Sequence, residues 1–381
     1  MGFMRARFIE ALRRELAHLG RDRWDLGMLT LFPACAITVV AAMLIAAVPR
    51  ALPVAVLDQS NGTVSRAIVR AVSASPAVTI AARPTSMAEA ERLARAGQVW
   101  AILSIPEGVD RGLTPTDTPA IQIFYNASFL TIGGSAESAL QSAVSAVLAE
   151  KGLDALRARG LPAVRISPPK VQATVLFNPQ TSFEWYLQAL IQPAVLHLLT
   201  ACVVVMAMGR ELRGKSLASW KQETGGGLAA LLGKLTPYLV ALTCWGAVWL
   251  IWLCGVRGWA MNGSLLLTVF AQGLLFAGTA AISLLLVIGV RKASFAFSAS
   301  ALYAGSALAY SGGTLPLDGG SGFARNWSAA LPFTHYLRLQ MDQFLGAPVS
   351  VALPQIGVLS LYVAVPMVLV LLLLRRPEEG A

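Results

Sequence analysis

The chain reads as an α-helical membrane protein with six transmembrane helices and an inserted extracytoplasmic α/β domain. Three observations predict this. First, 56% of the 381 residues are hydrophobic and only 13% are charged, with mean hydropathy +0.63, whereas a soluble domain carries about 25% charged residues. Second, apolar runs near the roughly 20 residues that cross a bilayer recur at 26–48, 186–208, 235–254, 265–290 and 351–374, with a more polar one at 294–315. Third, Lys and Arg gather between particular runs, and basic residues near span ends mark the cytoplasmic side.

The first 25 residues read as an amphipathic cytoplasmic helix. Phe8, Leu12, Leu16 and Leu19 share a face that Arg7, Arg13, Arg14 and Arg21 largely avoid, the pattern of a helix lying at the inner membrane surface, where it either braces a cytoplasmic partner or serves as a basic topogenic tail, two compatible roles. The first span follows at 26–48. Ala46 and Ala47 near its end resemble a signal-peptide cleavage site, but the apolar run exceeds the usual 7 to 15 or so residues, which favours an uncleaved anchor.

Residues 49–183 alternate strand and helix: strands at 53–57, 78–82, 99–105 and 120–125, helices at 64–72, 87–96 and 136–159. Strands separated by short helices predict a compact α/β domain.

Residues 184–376 supply five further spans. In the first of these, Gln188, Gln192 and His197 interrupt apolar sequence. Polar groups in hydrocarbon are costly unless they face protein or water, so they point into the bundle, marking either a transport pathway or helix packing. Tyr303 and Tyr310 leave the same choice open. Arg210, Arg213, Lys215, Lys221 and Lys234 make the next connection cytoplasmic, as Arg291, Lys292, Arg375 and Arg376 do for later ones. Both termini then lie inside and the α/β block outside. The stretch 327–345, with Pro332, His335, Arg338, Gln340 and Asp342, is too polar to span and reads as short helices at or dipping into the outer interface.

The net charge of +10 is thus a topological signal, and no basic stripe interleaved with aromatics marks a nucleic-acid surface. Cys35, Cys202, Cys244 and Cys254 fall inside spans, which excludes a disulfide framework. His18, His197 and His335 lack ligand spacing, and no metal or cofactor is expected. No intramembrane pair of His, Asp or Glu residues points to catalysis.

Gly209 to Ser216, GRELRGKS, satisfies the phosphate-loop pattern, yet a membrane helix precedes it where a strand is needed, and no strand ending in a magnesium-binding Asp follows. The same residues take another meaning beside Trp220 and beside Gly233, Lys234, Pro237 and Tyr238. An Arg-Glu pair at Arg210 and Glu211, then Gly214, Ser216 and Leu217, then Gly-Lys-x-x-Pro-Tyr opening a helix, resemble type-2 ABC transporter permeases. The opening Pro53–Asp58, Ile105–Gly108, Asn126–Ser128, Phe177–Pro179 and Pro332–Tyr336 are similar to the subgroup with a large extracytoplasmic domain between the first two helices. The chain departs from the family at Ala218 and at Lys221–Gly227, where Glu and a Thr-Pro pair are usual, so the coupling surface either suits a divergent ATPase or is degraded.

The resemblance implies the permease subunit of an ATP-driven exporter in a bacterial inner membrane, moving a small amphipathic molecule, drug or lipid-like substrate. ATP would be held by a separate ATPase subunit. A second permease chain, identical or paralogous, would complete the pathway, and a periplasmic adaptor would meet the outer domain. Arg210, Glu211, Ser216, Leu217, Trp220 and Lys234, within or beside a coupling segment at 211–230, are the expected ATPase-coupling residues. The alternative is a non-transporting receptor or docking protein that uses its extracytoplasmic domain.

Overall fold

The computed structural model describes residues 2–44, 50–109, 120–125, 130–158, 182–214, 217–314 and 321–375. The chain forms two compact units, Met1–Ala46 with Phe183–Ala381, and Ala47–Ser182.

The first unit begins with α1 (Gly2–Leu19), α2 (Arg23–Leu29) and α3 (Leu31–Leu44). A turn at Gly20 and Arg21 ends α1, and Asp22 caps α2 by accepting from the backbone amides of Trp24 and Asp25 at 2.9 and 3.2 Å. Such a cap satisfies amides that the first helical turn leaves without partners. The helix read over residues 1–25 is therefore two helices.

In the second unit, β1 (Leu52–Asp58), α4 (Thr63–Ala74), β2 (Val78–Ala82), α5 (Met87–Arg95), β3 (Ala101–Ile105), β4 (Gln122–Tyr125) and α6 (Leu130–Ala158) follow one another. The sheet order is β2-β1-β3-β4, with β1 parallel to β2 and β3, and β4 antiparallel to β3. Strand alternation divides the core. Val54, Val56, Leu103 and Ile105 join Ile68 and Val72 of α4 and Leu140 of α6, while Ala55 and Ile102 pack against Ala90 of α5. A largely parallel sheet must be covered on both faces, which explains the unbroken apolar run of β1. Asn126–Ser128 and Phe177–Pro179 lie outside the described residues.

The first unit resumes with α7 (Phe183–Gly214), α8 (Leu217–Thr224), α9 (Leu228–Ile251, prolonged by a π-helical turn at Trp252–Val256), α10 (Leu265–Val290), α11 (Ala293–Ser306), α12 (Gly322–Ala329), α13 (Pro332–Leu345) and α14 (Val349–Arg375). Among the described residues, five stretches are long and apolar enough to cross a membrane: Arg23–Leu44, Glu184–Leu212, Leu228–Val256, Leu265–Val290 and Val349–Arg375. The run expected at 294–315 instead gives α11, whose 14 residues reach only about 21 Å at 1.5 Å per residue, before the chain turns at 307–314. α10 touches α7, α9, α11, α13 and α14 and so sits at the centre. Phe333, Tyr336 and Leu339 of α13 are fully buried, and Gln340 donates to the Ala189 carbonyl of α7 at 2.7 Å, so α13 dips into the bundle.

Candidate functional site

Where α1, α7 and α9 meet, three cations and four carboxylates interlock. Glu15 on α1, 3% exposed, is the hub. Its carboxylate accepts from Lys234 Nζ at 2.8 Å, from the Tyr238 hydroxyl at 2.5 Å and from the Arg210 guanidinium. Lys234, equally buried, also donates to Glu211 at 2.8 Å. Arg210 reaches across to Asp25 at the start of α2, which His18 Nε2 also approaches at 3.0 Å. Arg14 closes the set, lying 3.5 Å from Glu211 and 2.9 Å from Glu223 on α8.

Buried charges persist only when paired and hydrogen-bonded, and here every carboxylate oxygen of Glu15 has a donor. Burial works to raise the Glu15 pKa, but Lys234 and Arg210 outweigh it and hold the carboxyl below its ordinary value. The backbone amides of Asp25 and Trp24 likewise depress Asp22.

Two glycines let the backbones close. A Cβ on Gly233 would strike the Phe8 carbonyl and lie 2.9 Å from the Ala11 Cβ, so glycine is what allows α9 to lie against α1. Gly225, with φ +76°, sits beneath the Arg7 guanidinium, whose NH1 donates to the Gly225 carbonyl at 3.4 Å.

The structure thus brings together Arg210, Glu211 and Lys234 of the residues expected for coupling. Trp220 is separate: it is 2% exposed and packs with Val204, Met208, Leu231 and Leu284, fixing α8 to the bundle. Leu217 opens α8, and Ser216 lies outside the described residues. The phosphate-loop string runs as helix from Gly209 to Gly214, which is incompatible with amides converging on phosphate. Sequence reasoning missed Glu15, Tyr238 and Asp25. The available signal was Glu15 within the apolar face of Phe8, Leu12 and Leu19, a position where an unpaired carboxylate would be costly.

His18, Asp22 and Asp25 place ligand atoms within 4.8 Å of one another. Arg210 and His18 already take Asp25 Oδ2, so the arrangement serves an ion-pair network rather than a metal.

The candidate pathway residues fall on different faces. Gln192 donates to the Ile37 carbonyl of α3 at 3.2 Å and Gln188 accepts from Trp249 of α9 at 3.3 Å. His197 faces the other way, 2.7 Å from Thr279 of α10, with its ring near those of Tyr303 and Phe333. Among the described residues, Gln188 Nε2, Gln192 Oε1, His197 Nε2 and Tyr303 OH are buried without a hydrogen-bond partner, as are polar atoms of Gln272, Ser283 and Ser300. Tyr310 stands apart, edge-on to Phe323. At the other end of α7 and α9, Arg257 grips Glu184 with two bonds of 2.7 and 2.6 Å.

Several apolar helices, with an ion cluster where two of them meet the amphipathic α1, define a multi-pass membrane protein. The family model for "ABC-2 family transporter protein" matches residues 23–372, and the chain belongs to that family. Such permeases are membrane components, not themselves catalytic, and normally work with an ABC ATPase subunit. No curated protein matches the chain.

Proposed function

We propose that this chain is the permease subunit of an exporter driven by a separate ATPase, with the ion cluster and α8 as the lever through which nucleotide-driven motion enters the bundle. The observation that carries this reading is the Glu15–Lys234–Glu211 chain of contacts, with Arg210 beside it. It joins an amphipathic helix, the end of one apolar helix and the start of the next, and Arg14 extends it to α8. A push on α8 or α1 is thereby delivered to α7 and α9 together.

In this reading the bundle crosses the membrane six times, α11 with the turns to Thr314 forming the shortest crossing. Both termini and α8 are cytoplasmic, and the α/β unit is extracytoplasmic and meets an adaptor. Two permease chains, alike or paralogous, pair in a bacterial inner membrane. The cargo is a small amphipathic molecule, drug or lipid. The amide, imidazole and hydroxyl atoms of Gln188, Gln192, His197 and Tyr303 that lack partners support an uncharged polar lining for its route, with Tyr310 nearer one end.

Co-purification from mild detergent tests the class: an ATPase subunit should be retained, and its absence overturns the exporter in favour of a receptor. Within that complex, Lys234→Met should leave the ATPase bound while lowering transport per ATP hydrolysed. Unchanged transport would sink the lever.

A further inference from the structure

The arginines of α1 fall into two classes. Arg7 and Arg14 are spent on protein, holding Gly225 on one side and Glu211 and Glu223 on the other. Arg5 and Arg13 are exposed and their side chains make no hydrogen bond or ion pair among the described residues, and the same holds for the side chains of Arg21 and Arg23 past the end of α1.

Spacing puts Arg5, Ile9 and Arg13 in an i, i+4, i+8 row beside Leu12 and Leu16. This row lies about a third of a turn from the buried stripe of Ala11, Glu15 and Leu19. Ile9 is 36% and Leu16 51% exposed, and Trp24 at 72% and Leu31 at 69% continue the apolar surface into the first candidate span. An exposed helix face that mixes free guanidiniums with large apolar side chains and ends on an open indole matches no aqueous environment. It matches the headgroup layer, where apolar side chains enter the acyl boundary, long basic chains reach up to phosphate and Trp concentrates.

The geometry points to an anionic phospholipid site: Arg5, Arg13, Arg21 and Arg23 take lipid phosphates while Ile9, Leu16 and Trp24 enter the leaflet. Guanidinium binds phosphate oxygens in a bidentate way, and clusters of four or more basic residues beside a span attract anionic lipid. Which leaflet supplies the lipid rests on the cytoplasmic placement of α1 in the exporter reading. Because the same helix carries Glu15, a lipid that holds its outer face also sets the position of the ion cluster.

The test uses the full-length chain, purified in detergent with equal amounts of phosphatidylglycerol and phosphatidylcholine, with retained lipid measured by mass spectrometry. Phosphatidylglycerol should be enriched, and R5Q/R13Q/R21Q/R23Q should lower that enrichment by about tenfold or more. The corresponding lysine set should keep most of it, and single Arg5→Gln and Arg13→Gln changes should give graded losses whether or not the quadruple variant folds. A control removing the same charge from the α/β unit, R66Q/R70Q/R83Q/R92Q, should retain lipid as the parent does. Equal loss in that control would reduce the effect to bulk charge and overturn the site. Displacement of the lipid by excess inorganic phosphate would also overturn it, in favour of a soluble phosphate. Lipid retention needs no ATPase, so failure here is distinguishable from failure of the transport reading, which ATPase co-purification reports.

Discussion

Glu15 on α1 and Lys234 on α9 stand 219 positions apart in sequence and 2.8 Å apart in space, each side chain 4% exposed. A local contact would stabilise one helix, whereas this one fixes an amphipathic helix to a candidate span, so its removal should be felt in both. Breaking a buried ion pair by deleting one partner costs about 3–5 kcal/mol, because the remaining charge stays buried. Lys234→Met should lower stability by that order in a chemical or thermal unfolding series. E15Q/K234M should cost less than the sum of the single changes, since no lone charge is left. Strict additivity would show that the pair does not interact.

The acid limb of stability should reflect Glu15. Its carboxyl is held below the ordinary value near 4.5 in the folded chain. The stabilisation is therefore complete above about 4.5 and is lost only as pH falls through the lower folded value. Unfolding midpoints should stay level down to about 4.5 and then drop. In Glu15→Gln, unable to titrate at that position, the drop should be smaller; an identical acid limb would remove Glu15 as its cause.

Gly233 offers a purely steric test. A side chain there meets the backbone of α1 at Phe8 and the Ala11 Cβ, and because backbone cannot rotate away, Gly233→Val should lift α1 off α9. With Ala11→Cys in a background lacking Cys35, Cys202, Cys244 and Cys254, maleimide should label position 11 slowly in the parent and quickly in the valine variant. Equal slow labelling would mean that α1 accommodates the group without separating.

These relationships also mark what the sequence could and could not disclose. β1 over Leu52–Asp58 and β2 over Val78–Ala82 coincide with the strands read from apolar runs bounded by turn residues, because local patterning decides such elements. Arg210 and Lys234 were legible as basic residues beside apolar helices, and the Arg210–Glu211 pair through the resemblance to type-2 ABC transporter permeases. Glu15 showed itself only by its place on the apolar face of Phe8, Leu12 and Leu19; its partners were not legible, because they depend on which helix packs against it, and that is seen only once α9 covers it. The burial of Trp220 was not legible either: its neighbours in sequence are polar, and only tertiary packing places it, 2% exposed, in a cluster with Val204, Met208, Leu231 and Leu284. α11 is also shorter than the run at 294–315, because hydropathy averages over that stretch while the helix gives way to turns from Ala307 onward.

Trp220 and the Arg14–Glu223 pair lie on the same short stretch and should separate stability from coupling. Trp220 is buried in a cluster with Met208, Leu231 and Leu284, so Trp220→Ala should leave a cavity and cost about 3–5 kcal/mol. Arg14 and Glu223 are each 40% exposed and 2.9 Å apart, so Glu223→Ala should cost no more than about 1 kcal/mol, the range of exposed ion pairs. If α8 acts only as scaffold, loss of transport in the ATPase complex should follow loss of stability, severe for the tryptophan change and slight for the glutamate change. If α8 is a lever, the contact that carries force from α8 to α1 matters beyond its worth in stability, and Glu223→Ala should depress transport per ATP hydrolysed while its unfolding curve overlays the parent. Arg14→Ala should do the same, and E223R/R14E should restore part of the lost transport by re-forming the pair with its charges exchanged. Normal coupling in Glu223→Ala would assign α8 a structural role alone.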